Sequence, residues 1–431
     1  MKTEMKRIAE IARNHGKVQT LIHHINVENL REQHKQAKAK KATGIDGVTK
    51  EKYEENLDEN LKNLVDRMKR QAYKPQEVRR VYIPKDGSKE KRGLGIPAYE
   101  DKLVQRIMAK ILTAIYEEKF LDVSYGFRPM KSCHDAIKRL GRIIEKKKVS
   151  YIVDMDIKGF FDNVNHEWMI KFLEHDIQDK NFIRLIKRFL KAGILEEGKH
   201  IETDQGTPQG GVVSPVLANV YLHYVLDLWF EKKVKKQNKG ESFIVRYADD
   251  FVCCFQYKEE AKQFYYRLKE RLSKFGLEIA ENKSKIIEFG RFAEENCKRR
   301  GDGKPETFDF LGFTHYCSKS KQGWFRVKRK TSRKKQKTKI AKMKMWIRQR
   351  MHKPLKETIK SLNRKLVGHY NYYGITDNSK SIHAFYYHTV RQLYKTLKRR
   401  TQKHRMSWER YKKLLTYMPI TKPSIQVNVY Q

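Results

Sequence analysis

At 431 residues the chain is too long for one small hydrophobic core, and two or three lobes are expected. An apolar content of 39% excludes disorder along the whole length, while 94 Lys and Arg against 51 Asp and Glu leave a net charge of +43. That excess repels itself and excludes an ordinary metabolic role; a polyanion would offset it, nucleic acid before a membrane surface. The start, "MKTEMKRIAEIARNHGK", is charged and lacks an apolar signal core, and no run is long enough to span a bilayer. The sequence expectation is therefore a cytoplasmic protein with no membrane partner. Five scattered cysteines without C-x-x-C spacing argue against a disulfide framework and a zinc ribbon.

In chain order, "EENLDENLKNLVDRMKRQAYKP" carries Leu57, Leu61, Leu64, Val65 and Met68 at helical spacing and stops at Pro75. "VRRVYIPKDGSKEKRGLGIP" predicts two strands around a Lys- and Gly-rich turn, and "EDKLVQRIMAKILTAIYEEKF" an amphipathic helix. "YIVDMDI" alternates as a strand does; the helix after it has Asn165 as its cap. "SPVLANVYLHYVLDLWFEKKVKK" predicts one long helix with Pro215 in its first turn, then "FIVRYADDFVCCF" a hairpin. A helix closed by Gly276 follows, then strands at "LEIA", "KIIEF", "FDFLGFTHY" and "WFRVKR". Helices against a short antiparallel sheet give an α+β class. From Arg326 the composition turns basic, and "RVKRKTSRKKQKTKIAKMKMWIRQR" has no acid at all. A solvated tail would show no periodicity, whereas Ile340, Met343 and Trp346 recur at helical spacing, which predicts a basic helical lobe along nucleic acid.

Two apolar strands end in acids: "YIVDMDI" with Asp154 and Asp156, and "FIVRYADDFVCCF" with Asp249 and Asp250. An Asp pair is commonly a solvated turn, yet these flanks read as buried strands that would hold the carboxylates rigidly. Brought together, three carboxylates repel one another unless a hard divalent cation such as Mg²⁺ joins them. Two such ions can activate a hydroxyl and stabilise a leaving oxygen, so the chemistry points to nucleotidyl transfer or phosphodiester cleavage. Cys253 and Cys254 face opposite sides of their strand and make neither a shared metal site nor a disulfide.

The order Asp156 with Phe161 five residues on, "GTPQGGVVSP", then "YADD" resembles motifs A, B and C of reverse transcriptases. "KKATGIDGVT", "YKPQEVRRVYIPK", "KRGLGIP", "SYGFRP", "DIKGFFDNVNH", "FGLEIAENKSKI" and "FDFLGF" are similar to blocks of group II intron-encoded reverse transcriptase/maturases, and "LNRKLVGHYNYYGI" to their maturase domain. The resemblance implies a right-hand polymerase with fingers and palm, an antiparallel sheet packed on helices, followed by an α-helical thumb/maturase domain. It implies an N-terminal extension over residues 1–30, fingers over 31–135, palm over 136–320, thumb over 321–400 and a short DNA-binding-like segment over 401–431.

The implied roles fall on numbered residues. Asp156, Asp249 and Asp250 match the catalytic carboxylates that hold two Mg²⁺ ions, with Mn²⁺ as a substitute. Lys85, Arg92, Phe160, Phe161, Gln209 and Lys283 match the dNTP side. Phe161 is the gate against a ribose 2′-hydroxyl, with Phe160 partly core, and Lys283 a proton donor to pyrophosphate. Arg128 would touch template phosphate or brace the fingers; Pro208, Gly210, Tyr247, Leu311 and Gly312 match positions near template and primer. The implied partners are group II intron RNA, an RNA template with a DNA primer, target DNA and dNTPs. The tail after the thumb has no cysteines or clustered histidines, so no endonuclease domain is expected, as in class C members. Three other readings stay open: a maturase that only binds RNA, a reverse transcriptase domesticated in defence or repair, and a nuclease using the same ions.

Overall fold

The computed structural model describes residues 1–14, 16–84, 91–196, 199–201, 204–207, 210–400 and 406–430. They form two compact units: one holds the chain up to Ala136 and again Ile152–Ile286, the other Ile137–Tyr151 and the chain from Ile287.

The first unit is organised around the helix Tyr99–Tyr116, whose Leu103, Val104, Ile107, Met108, Ile111, Leu112 and Ile115 are all buried. Apolar residues on nearly every side make it a helix to be surrounded, and Lys2–Arg13 and Val27–Gln36 pack against it. Starts of the shorter helices follow local chemistry: Asn26 accepts from the Asn29 amide at 2.9 Å, and Asp179 from Asn181 and Phe182 at 3.0 and 2.9 Å. Asn165 accepts from the Trp168 amide at 3.0 Å and so starts His166–Asp176, the cap expected of it.

Strands are numbered here along the chain. β1 (Val78–Pro84) and β2 (Lys91–Ile96) pair antiparallel, with Ile83 opposite Arg92 and Pro84 opposite Lys91. β1 also pairs in parallel with β4 (Ile194–Glu196), which pairs with β5 (Lys199–Ile201), so the sheet runs β2-β1-β4-β5. A second sheet runs β6-β7-β3-β8, with β3 at Tyr151–Met155, β6 at Ser242–Tyr247, β7 at Asp250–Phe255 and β8 at Lys285–Glu288. Its centre is dry on both faces: Phe251, Val252, Cys253, Cys254 and Phe255 are fully buried. The two cysteines are free thiols used as small fillers, as their alternation implied.

Three sequence expectations change. "LEIA" is no strand but a single bridge, Ile157 with Ile279. "FDFLGFTHY" is two strands, β9 (Phe308–Phe310) and β10 (Phe313–Lys319), because Leu311 and Gly312 both take positive φ, 51° and 77°, and turn the chain back. The expected long helix begins as Ser214–Leu222 with Pro215 in its first turn, then widens into π turns at His223–Asp227 and Phe230–Val234 before Lys235–Gln237. Such widening rotates the residues beyond it relative to an α-helix. Asp227 consequently points inward, towards β6.

In the second unit β9, β10 and β11 (Phe325–Thr331) form an antiparallel sheet, followed by helices Arg333–Arg348, Leu355–Tyr373, Ser379–Lys398 and Trp408–Tyr417. Ile347, Leu362, Leu366, Tyr370, Ile382, Phe385 and Leu393 make their common core. The C-terminal stretch joins the same core through Tyr411, Ile420 and Val429, and Thr376 donates its amide to the Val427 carbonyl at 3.1 Å. No helix among the described residues is long and apolar enough to cross a membrane.

Candidate active site

β6 and β7 are joined by a two-residue turn, Ala248–Asp249, with Tyr247 opposite Asp250. Ala248 sits at φ 57°, a left-handed conformation that costs a residue with a Cβ about 1–3 kcal/mol and persists only where the surroundings enforce it. The surrounding side chains and backbone do so. The Arg246 guanidinium donates Nη1 to the Ala248 carbonyl at 2.9 Å and to Asn219 Oδ1 at 2.9 Å. Its Nε and Nη2 donate to the two carboxylate oxygens of Asp227 at 2.7 and 2.5 Å, and both side chains are fully buried. Asn219 Nδ2 donates to the Gly126 carbonyl at 2.7 Å, and Gly126 lies so close that a Cβ there would stand 2.3 Å from the Ala248 amide nitrogen. Arg246, Asp227, Asn219 and Gly126 were not singled out in the sequence as carrying this turn. The only sequence signal was an arginine within an apolar strand and an aspartate within an apolar helix.

Asp156 follows β3 in the neighbouring strand position and is half-buried. Its carbonyl accepts from the Ala280 amide at 2.8 Å, and Lys158 donates its amide to the Glu278 carbonyl at 2.9 Å. This pairing carries Lys283 to the site, where Nζ meets Asp156 Oδ2 at 2.9 Å. Burial raises the Asp249 carboxyl above the ordinary carboxylate range; its own amide opposes this, the charge of Asp156 adds to it, and Arg92 and Arg246 oppose it. Asp249 therefore feels the charges of Asp156 and of Arg92, which lies on the exposed arm of β2, while Asp156 is paired with Lys283.

Phe160 is buried and its ring meets that of Phe161 edge-on at 5.3 Å; Phe161 is half-buried. The Phe161 carbonyl accepts from the Thr207 amide at 2.7 Å, and the Gly206 amide donates to Val164 at 2.7 Å. Gly206, at φ 91°, lets this loop approach: a Cβ would meet the Asp162 carbonyl oxygen at 2.9 Å. Gly210 likewise presses on β2, where a Cβ would stand 2.5 Å from the Gly95 carbonyl oxygen. Lys85, Pro208 and Gln209 lie outside the described residues.

Arg128 is buried and engaged by Glu117 at 3.1–3.2 Å and by the Leu121 and Ser124 carbonyls at 2.8 and 2.9 Å. Tyr247 is half-buried beside the turn. Leu311 and Gly312 lie in the second unit, where the Leu311 carbonyl accepts from Tyr372 Oη at 2.9 Å and Gly312 from the Ser332 amide at 3.0 Å.

Among the described residues no three His, Cys, Asp or Glu side chains gather closely enough to hold a metal ion. The chemistry of the Asp156–Asp249 pair fits a divalent cation: hard oxygen donors, one of them carrying a charge that burial and its neighbour disfavour.

A family model described as reverse transcriptase (RNA-dependent DNA polymerase) matches residues 83–315, more than half the chain, and one described as group II intron, maturase-specific domain matches residues 333–415. The group II intron-encoded protein LtrA of Lactococcus lactis subsp. cremoris is 38% identical over 257 residues, covering 55% of this chain and 41% of that protein. Protein YkfC of Escherichia coli (strain K12) is 34% identical over 237 residues, covering 48% of this chain and 62% of that protein. A nuclear intron maturase 2, mitochondrial, of Arabidopsis thaliana is 27% identical over 179 residues, covering 32% of this chain and 24% of that protein. The chain thus spans less than two thirds of the length of these curated relatives. The matched order of carboxylate strands, glycine loop and helical lobe leads to one conclusion: the chain belongs to the reverse transcriptase (RNA-dependent DNA polymerase) family and carries a group II intron maturase-specific domain.

Proposed function

We propose that this protein is an RNA-directed DNA polymerase that also binds its group II intron RNA as a splicing maturase and supports target-primed insertion of that intron. The observation that carries the polymerase reading is the charge arrangement of Asp156, just past β3, and Asp249, in the turn before the neighbouring β7, with Lys283 on one carboxylate and Arg92 acting on the other. Asp156, Asp249 and Asp250 would hold two Mg²⁺ ions, with Mn²⁺ as a substitute. When bound, such ions supply charge neutralisation and activation of the primer hydroxyl for in-line phosphoryl transfer.

The chain's own residues supply the rest. The locked turn at Ala248–Asp249 fixes one carboxylate without further reorganisation. Arg92, on the ribbon of β1 and β2, offsets charge growing on the leaving pyrophosphate, together with Lys85. Lys283 Nζ, held at Asp156 Oδ2, can pass a proton to that pyrophosphate. Phe161, its carbonyl fixed by Thr207, would place a flat ring beneath the sugar of a dNTP, and Gln209 would lie against its base. The domain layout we propose is fingers over 31–135, palm over 136–320, thumb over 321–400 and a DNA-contacting tail.

The test is extension of a DNA primer on an RNA template with dNTPs and Mg²⁺; full-length product is expected, and folded protein that makes none overturns the polymerase reading. Within that assay, Phe161→Val is expected to raise ribonucleotide incorporation by about 10- to 200-fold, the range for a change of one or a few carbons in an apolar contact. Unchanged sugar discrimination removes Phe161 from the gate.

A further inference from the structure

The second unit contains a cavity that the polymerase chemistry does not use. The Arg333–Arg348 helix packs on Ser379–Lys398, and between it and Leu355–Tyr373 a space of about 670 Å³ opens. That is the size of a small-ligand pocket, roughly 300–1,000 Å³. Its walls are aromatic and cationic: Trp346, Tyr372 and Phe385 beside Lys339, Lys342 and Lys365, with no carboxylate among the lining residues. Trp346 already attracts cations, with Arg350 at 4.0 Å and Lys365 at 5.2 Å from its ring centre.

Two further observations indicate a ligand. His369 lines the cavity, is 8% exposed, stacks on Phe385 at 3.7 Å, and its Nε2 is buried without a hydrogen-bond partner. A buried polar atom left unpaired is costly, and this one belongs to a residue that lines the cavity. Burial, reinforced by Lys339, lowers the imidazole to about 4, so at neutral pH it offers a neutral hydrogen bond rather than a charge. Next to it Gly368 stands inside the helix, where glycine is disfavoured relative to alanine, and nothing lies within 4 Å of where its Cβ would be. The open volume beside it is part of the cavity.

We infer that this cavity receives one unpaired nucleobase of a bound RNA, stacked among the aromatic walls beside His369, with its flanking phosphates on Lys339, Lys342 and Lys365. The inference rests on the reading of this unit as RNA-binding, which its match to a maturase-specific domain supports. A π-face with a backbone anion on either side is the ligand that an aromatic floor with lysine rims recognises, and RNA is read chiefly at such splayed-out bases. An acidic peptide would satisfy the lysines but offers no flat π-face to an aromatic lining.

The test uses the full chain and an RNA hairpin with a single bulged 2-aminopurine, the same hairpin fully paired, and the bulged hairpin made of DNA. Affinity is read by anisotropy, and stacking by quenching of the 2-aminopurine emission. The bulged RNA is expected to bind at least about tenfold more tightly than the paired one, with quenching. Gly368→Leu, which fills the cavity with a good helix former, is expected to bring that ratio to about one without lowering the melting temperature. Trp346→Ala, the second variant, is expected to weaken bulged-RNA binding by about 5- to 150-fold. Equal binding of bulged and paired RNA, a preference that survives Gly368→Leu, or a preference for the bulged DNA each overturn the inference. Should paired RNA still bind in the first case, the maturase reading stands; should no RNA bind, both fall.

Discussion

Replacing Asp249 with asparagine is expected to abolish DNA synthesis on an RNA template while leaving the protein more stable, not less. The loss follows from the proposed role of Asp249 as a metal-holding carboxylate in phosphoryl transfer, where several kcal/mol of charge stabilisation correspond to at least about 10³-fold in rate. The gain follows from the turn itself. Burial and the charge of Asp156 both disfavour the ionised Asp249, so an amide relieves a cost that the folded chain otherwise carries. Measured in chelator at neutral pH, the variant's melting temperature should equal or exceed that of the native chain. Millimolar Mg²⁺ should raise the melting temperature of the native protein and leave the variant nearly unchanged. A variant that keeps activity, or a native chain indifferent to Mg²⁺, would count against Asp249 as a ligand.

The second large effect concerns Arg246 and Asp227, which touch no substrate. Arg246→Leu leaves Asp227 buried and unpaired, and breaking a buried pair in this way costs about 3–5 kcal/mol. Pairing Arg246→Met with Asp227→Leu removes both charges together and should restore most of that stability, because well-packed apolar groups replace such pairs at little cost. Activity should not return with it. The Ala248 carbonyl would still lack its donor, and the left-handed residue next to Asp249 would be free to relax. Denaturant unfolding and primer extension on the same three proteins check this. If the doubly substituted chain is stable and fully active, Arg246 is only part of the core.

Local chemistry made much of this legible from the sequence. The hairpin around Asp249 shows as two apolar runs with a polar tip, the cap at Asn165 as a single residue type before a helix, and the ribbon of β1 and β2 as strand formers around a turn. What stayed hidden depends on partners remote in sequence. Nothing in "FIVRYADD" says that its arginine meets Asp227 across a widened helix, and nothing in "VLDLWF" marks where the π turns begin. The turn at Leu311–Gly312 hid within a continuous apolar stretch, since strand propensity on both sides masked the change of direction. The cavity beside His369 has a similar cause: periodicity places Met343 and Trp346 on one helical face without saying whether a neighbour fills the space next to it.

The closeness of Gly126 to Ala248 bears on how this chain can drift. Every other amino acid carries a Cβ, and here that carbon would overlap a backbone nitrogen that cannot swing aside as a side-chain tip does. Position 126 thus has no neutral neighbours in sequence space. The turn it presses against is reached by a chain segment far away in the sequence, so the two stretches can vary only together. A chain that keeps the aspartates but gains a side chain at position 126 has to shift the turn that holds Asp249.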